Sequence, residues 1–341
     1  MRYVPYGPEL EGVPNVIVDG RGNEATILEL SHWPRNATPL ELKADTSAEI
    51  VINYLRSPEH EKLRRGAEAV SNNHYDIDGL ISLWAVLNPE AALERAELLV
   101  AIGECGDFAR WAGERATKVA CALHGLHSLP ASPLRRGLDE IRGDDERTAF
   151  LYRETLPLLS ELLEDADRFE QYWRDEYRRV EEGRALFARG EATVQEMPEL
   201  DLAVIHLTQD IPDMALYEQT ERTRIVLIDE DRQRCQARYR YESWVELESR
   251  RPLPRIDLRP FADFLQSFEG NPGEWHADDV RSIVPRLGLH GPEGKVSPSS
   301  ITTGLFLRMF VRFLRENEEN AELLWSPYTA DAEYISETSD D

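Results

Sequence analysis

Within Val70-Ser71-Asn72-Asn73-His74-Tyr75-Asp76-Ile77-Asp78-Gly79-Leu80-Ile81-Ser82, one imidazole and two carboxylates recur at every second position. On extended backbone that spacing puts His74, Asp76 and Asp78 on one side of the chain. Such a set suits Mn²⁺, Zn²⁺ or Fe²⁺, and two ions could share it. Gly79 permits a tight turn, and a helix beginning near Leu80 would aim free N–H groups at an anion. The chemistry this points to is metal-assisted attack on a phosphoryl group. The same residues also fit a polar loop in which Asp caps a helix and His is solvated.

The flanking elements decide between these readings. Glu68–Ser71 reads as a short strand and Leu80–Leu87 as a helix, so the loop falls at the carboxyl edge of a strand, where α/β proteins place ligands. Leu98–Gly103 reads as the next buried strand, followed by an Ala-rich helix over about Phe108–Leu123. Its end, Gly103-Glu104-Cys105-Gly106-Asp107, could bring Asp107 and Glu104 to the same edge, although Asp107 could instead cap the following helix. His124 and His127 lie three apart on that helix and could face one way as additional ligands. His32, beside Trp33 in Ser31-His32-Trp33-Pro34, is a weaker candidate, as is Asp210 at the end of His206–Asp210.

Upstream, Asn15–Val18 and Ala25–Leu30 are β-prone runs around the turn-rich Asp19-Gly20-Arg21-Gly22-Asn23. Thr46-x-x-Glu49 matches a capping box for a helix over 46–56. Residues 143–190 predict one or two long amphipathic helices. Alternating strand and helix favours an α/β fold with a parallel sheet and flanking helices. From about residue 200 the pattern turns to α+β. Leu202–Leu207 and Arg224–Ile228 are β-prone, and Cys235–Leu247 alternates as the second arm of a hairpin. Arg238, Arg240 and Glu242 share one face of that arm and could hold substrate phosphate, or simply be solvated. A helix over 299–315 is expected to turn Ile301, Leu305, Met309, Phe310 and Phe313 inward. The expected division is an α/β domain over 1–195, which carries the candidate metal ligands, a smaller α+β domain over 196–326, and an acidic tail over 327–341.

His-x-Asp-x-Asp-Gly after a strand, with Ser82 on the next helix, resembles the first motif of the DHH phosphoesterase superfamily. That resemblance implies a Rossmann-like domain holding two metals, a smaller domain gripping substrate, and His74, Asp76 and Asp78 as ligands. The chain departs from the pattern in having no Asp-His-His triplet and no Gly-Gly-Gly-His motif. A descendant that has lost catalysis and binds a ligand or protein in its cleft is the alternative.

Composition narrows the substrate. The 341 residues carry 64 acidic against 39 basic side chains, a net charge of −25. That field repels a nucleic-acid backbone, so a small phosphorylated molecule is expected rather than a long nucleic acid. Three widely spaced cysteines argue against a disulfide framework, and no apolar run approaches a membrane span. With no signal-like N-terminus, a cytoplasmic location is expected. There is no P-loop, no G-x-S-x-G elbow, no G-x-G-x-x-G and no His-Glu-x-x-His. The sequence reading is a metal-dependent phosphohydrolase using Asp76 and Asp78, with His74 and Asp107 as further ligands and Mn²⁺ as the expected ion.

Overall fold

The computed structural model describes residues 1–291, 294–329 and 333–335. Much of the expected tail, 330–332 and 336–341, lies outside the described residues. The chain forms two compact units, one of Met1–Glu181 with Leu247–Ser249, the other of Glu182–Glu246 with Arg250–Asp341.

The first unit is α/β. Strands β1 (Arg2–Tyr3), β2 (Asn15–Val18), β3 (Thr26–Leu30) and β4 (Ala69–Ser71) make a sheet of order β1-β4-β2-β3. Every pairing in it is parallel. Asn15–Val18 and Ala69–Ser71 are buried throughout, as expected of strands covered on both faces. Helices α1 (Ser47–Arg56) and α2 (His60–Arg64) connect β3 to β4. After β4 come α3 (Ile77–Leu87), α4 (Pro89–Glu94), α5 (Ala96–Asp107), α6 (Glu114–Ser128), α7 (Arg135–Glu140), α8 (Asp144–Glu164) and α9 (Glu170–Ala188). The Thr46 side chain accepts from Glu49 N–H at 3.2 Å, as the capping box predicts for α1.

The expected strand over Leu98–Gly103 is a helix, the middle of α5. An apolar run of that length fits either state. Burial of Leu99, Ile102, Gly103 and Cys105 follows the helical period instead. Gly103 is needed there, because a Cβ would stand 2.3 Å from Asp78 Oδ1. The following helix starts at Glu114 rather than Phe108, since left-handed backbone at Ala109 (φ 45°) and Gly113 (φ 99°) breaks the chain.

In the second unit β5 (Thr193–Met197), β6 (Leu202–His206), β7 (Arg224–Asp229), β8 (Arg234–Tyr239), β10 (Glu274–Ala277) and β11 (Arg286–His290) form a mixed sheet of order β10-β11-β8-β7-β6-β5. Helix α10 (Asp213–Tyr217) lies between β6 and β7 in sequence, and β9 (Arg255–Ile256) pairs with β12 (Leu324–Trp325). Helices α11 (Arg259–Gln266) and α12 (Thr303–Asn317) complete an apolar core with Val226, Ile228, Ala237, Tyr239 and Trp275.

Two expectations here are corrected. The hairpin β7–β8 forms, but its second arm ends at Tyr239 and turns into a 3₁₀ segment at Tyr241–Ser243, so Arg240 and Glu242 are buried rather than on a strand face. On α12 the fully buried side chains are Phe306, Phe310 and Leu314, whereas Leu305 is 41% exposed. Ile301 and Phe310 are buried in the core and Met309 and Phe313 pack against it, as expected, so Leu305 alone departs from the expected face.

Candidate metal centre

The ends of three adjacent parallel strands converge. Asp19 directly follows β2, His32 lies two residues beyond β3, and Asn72 and His74 follow β4. Asp76 is the N-cap of α3, its Oδ1 accepting from Gly79 N–H at 2.7 Å. Asp78 sits in the first turn of α3, and Asp107 ends α5. Two groups of facing ligand atoms result: Asp19, His32, Asp78 and Asp107 in one, Asp19, His74 and Asp76 in the other, with the atoms of each group within 4.8 Å of one another. Asp19 belongs to both. Its Oδ1 lies 3.5 Å from His32 Nε2 and its Oδ2 lies 3.5 Å from His74 Nε2. It takes left-handed backbone (φ 46°), a costly conformation that often marks functional sites.

Each imidazole is fixed in orientation. His32 Nδ1 lies 2.6 Å from the carbonyl of Asp45, so it carries the proton and turns Nε2 toward Asp19 and Asp107, the latter at 3.3 Å. An Nδ1–H donated to a carbonyl, with Nε2 facing carboxylates, is the outer-shell pattern of metal-binding histidine. His74 Nε2 lies 2.8 Å from Asp76 Oδ2, and the ring packs on Trp33. Asp78 is anchored by the N-terminus of α1, accepting from Ser47 N–H at 2.7 Å and Ala48 N–H at 3.0 Å. Ser47 Oγ donates to Asp19 Oδ1 at 2.8 Å.

The electrostatics are those of a centre short of positive charge. Burial, then the negative field of Asp19, raises the carboxyls of Asp76 and Asp78, and burial with the charge of Asp78 raises Asp107 well above the carboxylate range. Burial opposes ionisation of Asp19 too, but the hydrogen bond from His32 and the charge on His74 hold it low. Four carboxyls this close cannot all ionise without a cation. Among the described residues, Asp19 Oδ2, Asn72 Nδ2 and Tyr152 OH are buried without a hydrogen-bond partner, although each such group costs about 1–3 kcal/mol. A divalent ion with bound oxygen ligands fits that vacuum of partners.

The other candidates lie apart from these groups. Glu104 is on α5 and faces Arg110 at 3.9 Å. His124 and His127 face each other on α6 with ring centroids 5.1 Å apart, and His127 meets Tyr75 edge-on. Arg238 is held by Asp213 at 2.8 and 3.1 Å, and Arg240 by Glu242 and by the Thr220 carbonyl at 2.6 Å, so both guanidiniums are already committed. Asp19 was missed and His32 undervalued. The signal was available, since both stand at the C-terminal ends of β-prone runs, the position that singled out His74.

The fold and this cluster define an α/β protein with a buried Asp/His set that could hold a metal. The chain belongs to the family of unknown function DUF6687, whose sequence profile matches residues 1–324. No match was found among curated proteins or among solved structures, and no link to the DHH phosphoesterases emerges. Among the described residues no helix is long and apolar enough to cross a membrane.

Proposed function

We propose that the protein is a metal-dependent phosphohydrolase acting on a small phosphorylated molecule, with two Mn²⁺-class ions sharing Asp19. The observation that carries this reading is the double role of Asp19, which stands in both groups of ligand atoms. Its donor set of carboxylates and imidazoles suits ions of that class. When bound, such ions supply Lewis acidity toward phosphoryl oxygen and a water nucleophile.

The chain's own residues do the rest. Asp19, His32, Asp78 and Asp107 hold one position, and His74 and Asp76 hold the other together with Asp19. The Asp45 carbonyl fixes the His32 tautomer. Asn72 Nδ2 and Tyr152 OH are buried donors that lie with Asp19 Oδ2 against Gly79, and they are placed to stabilise an anionic oxygen. The resemblance to the DHH superfamily in His74-x-Asp76-x-Asp78-Gly79 supports the same chemistry, with His32 and Asp107 supplying ligands that the missing triplet does not. The net charge of −25 favours a small substrate over a nucleic acid.

Elemental analysis by plasma mass spectrometry, beside Asp19→Asn and Asp76→Asn, tests the site. A screen of small phosphoesters with the manganese-loaded protein tests the activity. Near-stoichiometric metal that falls in both variants, with turnover lost in them, is the expected result. No retained metal after manganese loading would overturn the metal centre. Metal without turnover of any phosphoester would leave a binding protein.

A further inference from the structure

One strand face in the second unit carries polar side chains unrelated to the metal centre. β8 is interior to its sheet, between β11 and β7. Cys235, Ala237 and Tyr239 face the apolar core, so Arg234, Gln236 and Arg238 line the opposite face in a row. That row forms a wall of a cavity of about 390 Å³, within the range of small-molecule sites. Leu207, Ile211, Leu227 and Val296 give the cavity apolar surface.

Charge pairing around it is uneven. Arg238 is taken up by Asp213, and Asp229 on the neighbouring strand is taken up by Arg232 at 2.7 Å. Among the described residues Arg234 makes no ion pair, although Asp229 stands opposite it in the strand register: its Nε is buried without a hydrogen bond, and the Arg238 Nε on the same face is also unfilled. In a chain with 64 acidic residues against 39 basic ones, a guanidinium left over beside a cavity is unexpected on charge grounds. Desolvating it without an acceptor is unfavourable, and a ligand carboxylate or phosphate would match its planar fork. Lys295, Asp210, Asp213 and Asp229 line the same cavity, so its charge is mixed, which disfavours a ligand with several anionic groups.

We propose that this cavity binds a small organic anion, its single phosphate or carboxylate head on Arg234 and Gln236 and its apolar body against Leu207, Ile211, Leu227 and Val296. The site is independent of the phosphohydrolase reading, because every lining residue lies in the second unit and none belongs to the metal centre.

Phenyl phosphate and benzoate, titrated calorimetrically into the full chain in chelator and again after manganese loading, test it. At least one probe should bind with the same affinity in both conditions, and which one binds separates a phosphate ligand from a carboxylate. Arg234→Gln should weaken binding at least tenfold, with Arg234→Lys intermediate. If Arg234→Gln lowers the folded fraction, Gln236→Leu provides the second variant, with weakened binding again expected. No binding of either probe up to ~10 mM, affinity unchanged in folded Arg234→Gln or Gln236→Leu, or binding seen only with manganese would overturn the proposal.

Discussion

Both units bury charge, yet they treat it oppositely. In the second unit Arg255 is fully buried and every guanidinium nitrogen has an acceptor: Ser243 Oγ and the carbonyls of Val280, Ser282, Arg240 and Ile283, at 2.6–3.3 Å. Arg224 also donates to the carbonyls of Leu200 and Pro254, although its Nε is buried without a hydrogen bond. These charges tie loops to the sheet. In the first unit four carboxyls and two imidazoles crowd one strand edge, with acceptors facing acceptors and donors left unfilled. Burial alone therefore says little about function. Like-signed carboxyls crowded together, with imidazoles among them, make a cluster that could hold a cation.

The comparison breaks first at Arg255. Arg255→Met should destabilise the chain by about 3–5 kcal/mol, because the carbonyls it satisfies would remain buried and unpaired. Urea unfolding checks this, and a loss below ~1 kcal/mol would remove Arg255 from the structural side of the contrast.

Next in size, Asp19→Asn should weaken manganese binding at least a hundredfold, about 2.7 kcal/mol. It should also erase the rise in unfolding temperature expected of the wild type on manganese loading. Persistence of that rise would place the ion elsewhere.

A smaller effect contrasts a well-satisfied carboxylate with the crowded ones. Burial works against ionisation of Glu269, but hydrogen bonds from Ser299, Asn271 and Ser300 hold its carboxyl down at about 2. Its stabilisation is present above the unfolded value of about 4.3 and is lost as pH falls toward 2. Glu269→Gln should cost about 1 kcal/mol at neutral pH and less in acid, as acid-range unfolding curves would reveal.

The metal-free centre should behave in the opposite sense. Asp78 is pushed up to about 8 by burial and by Asp19, and Asp107 is raised too. The folded chain then holds more protons than the unfolded one, so stability falls as pH rises from about 4 through 8. His32 and His74, both raised by neighbouring carboxylates although burial opposes it, add to the same trend above about 6.5. Asp107→Asn should flatten that slope and raise metal-free stability by ~1 kcal/mol while abolishing stabilisation by manganese. A metal-free chain that gains stability from pH 5 to 8 would contradict the crowding.

Much of this was legible in order along the chain. The alternation at His74, Asp76 and Asp78 marked the polar loop, the capping box marked α1, and apolar–polar alternation marked the second hairpin arm, because these signals are local. Leu98–Gly103 was not legible: a six-residue apolar run satisfies strand and helix alike, and packing of Gly103 against Asp78 selects the helix. Arg238 and Arg240 misled for a related reason, since strand alternation cannot anticipate that Asp213 and Glu242 would take up their charge.

By itself the sequence determined the α/β class, the carboxyl-edge position of the loop after β4, and the acid excess. Only the tertiary structure decided that Asp19 and His32 join that loop, because parallel strands far apart in sequence end side by side. Pairing β2 with both β3 and β4 sets three turns at one edge, and Asp19, in the middle turn, faces both sets of ligands.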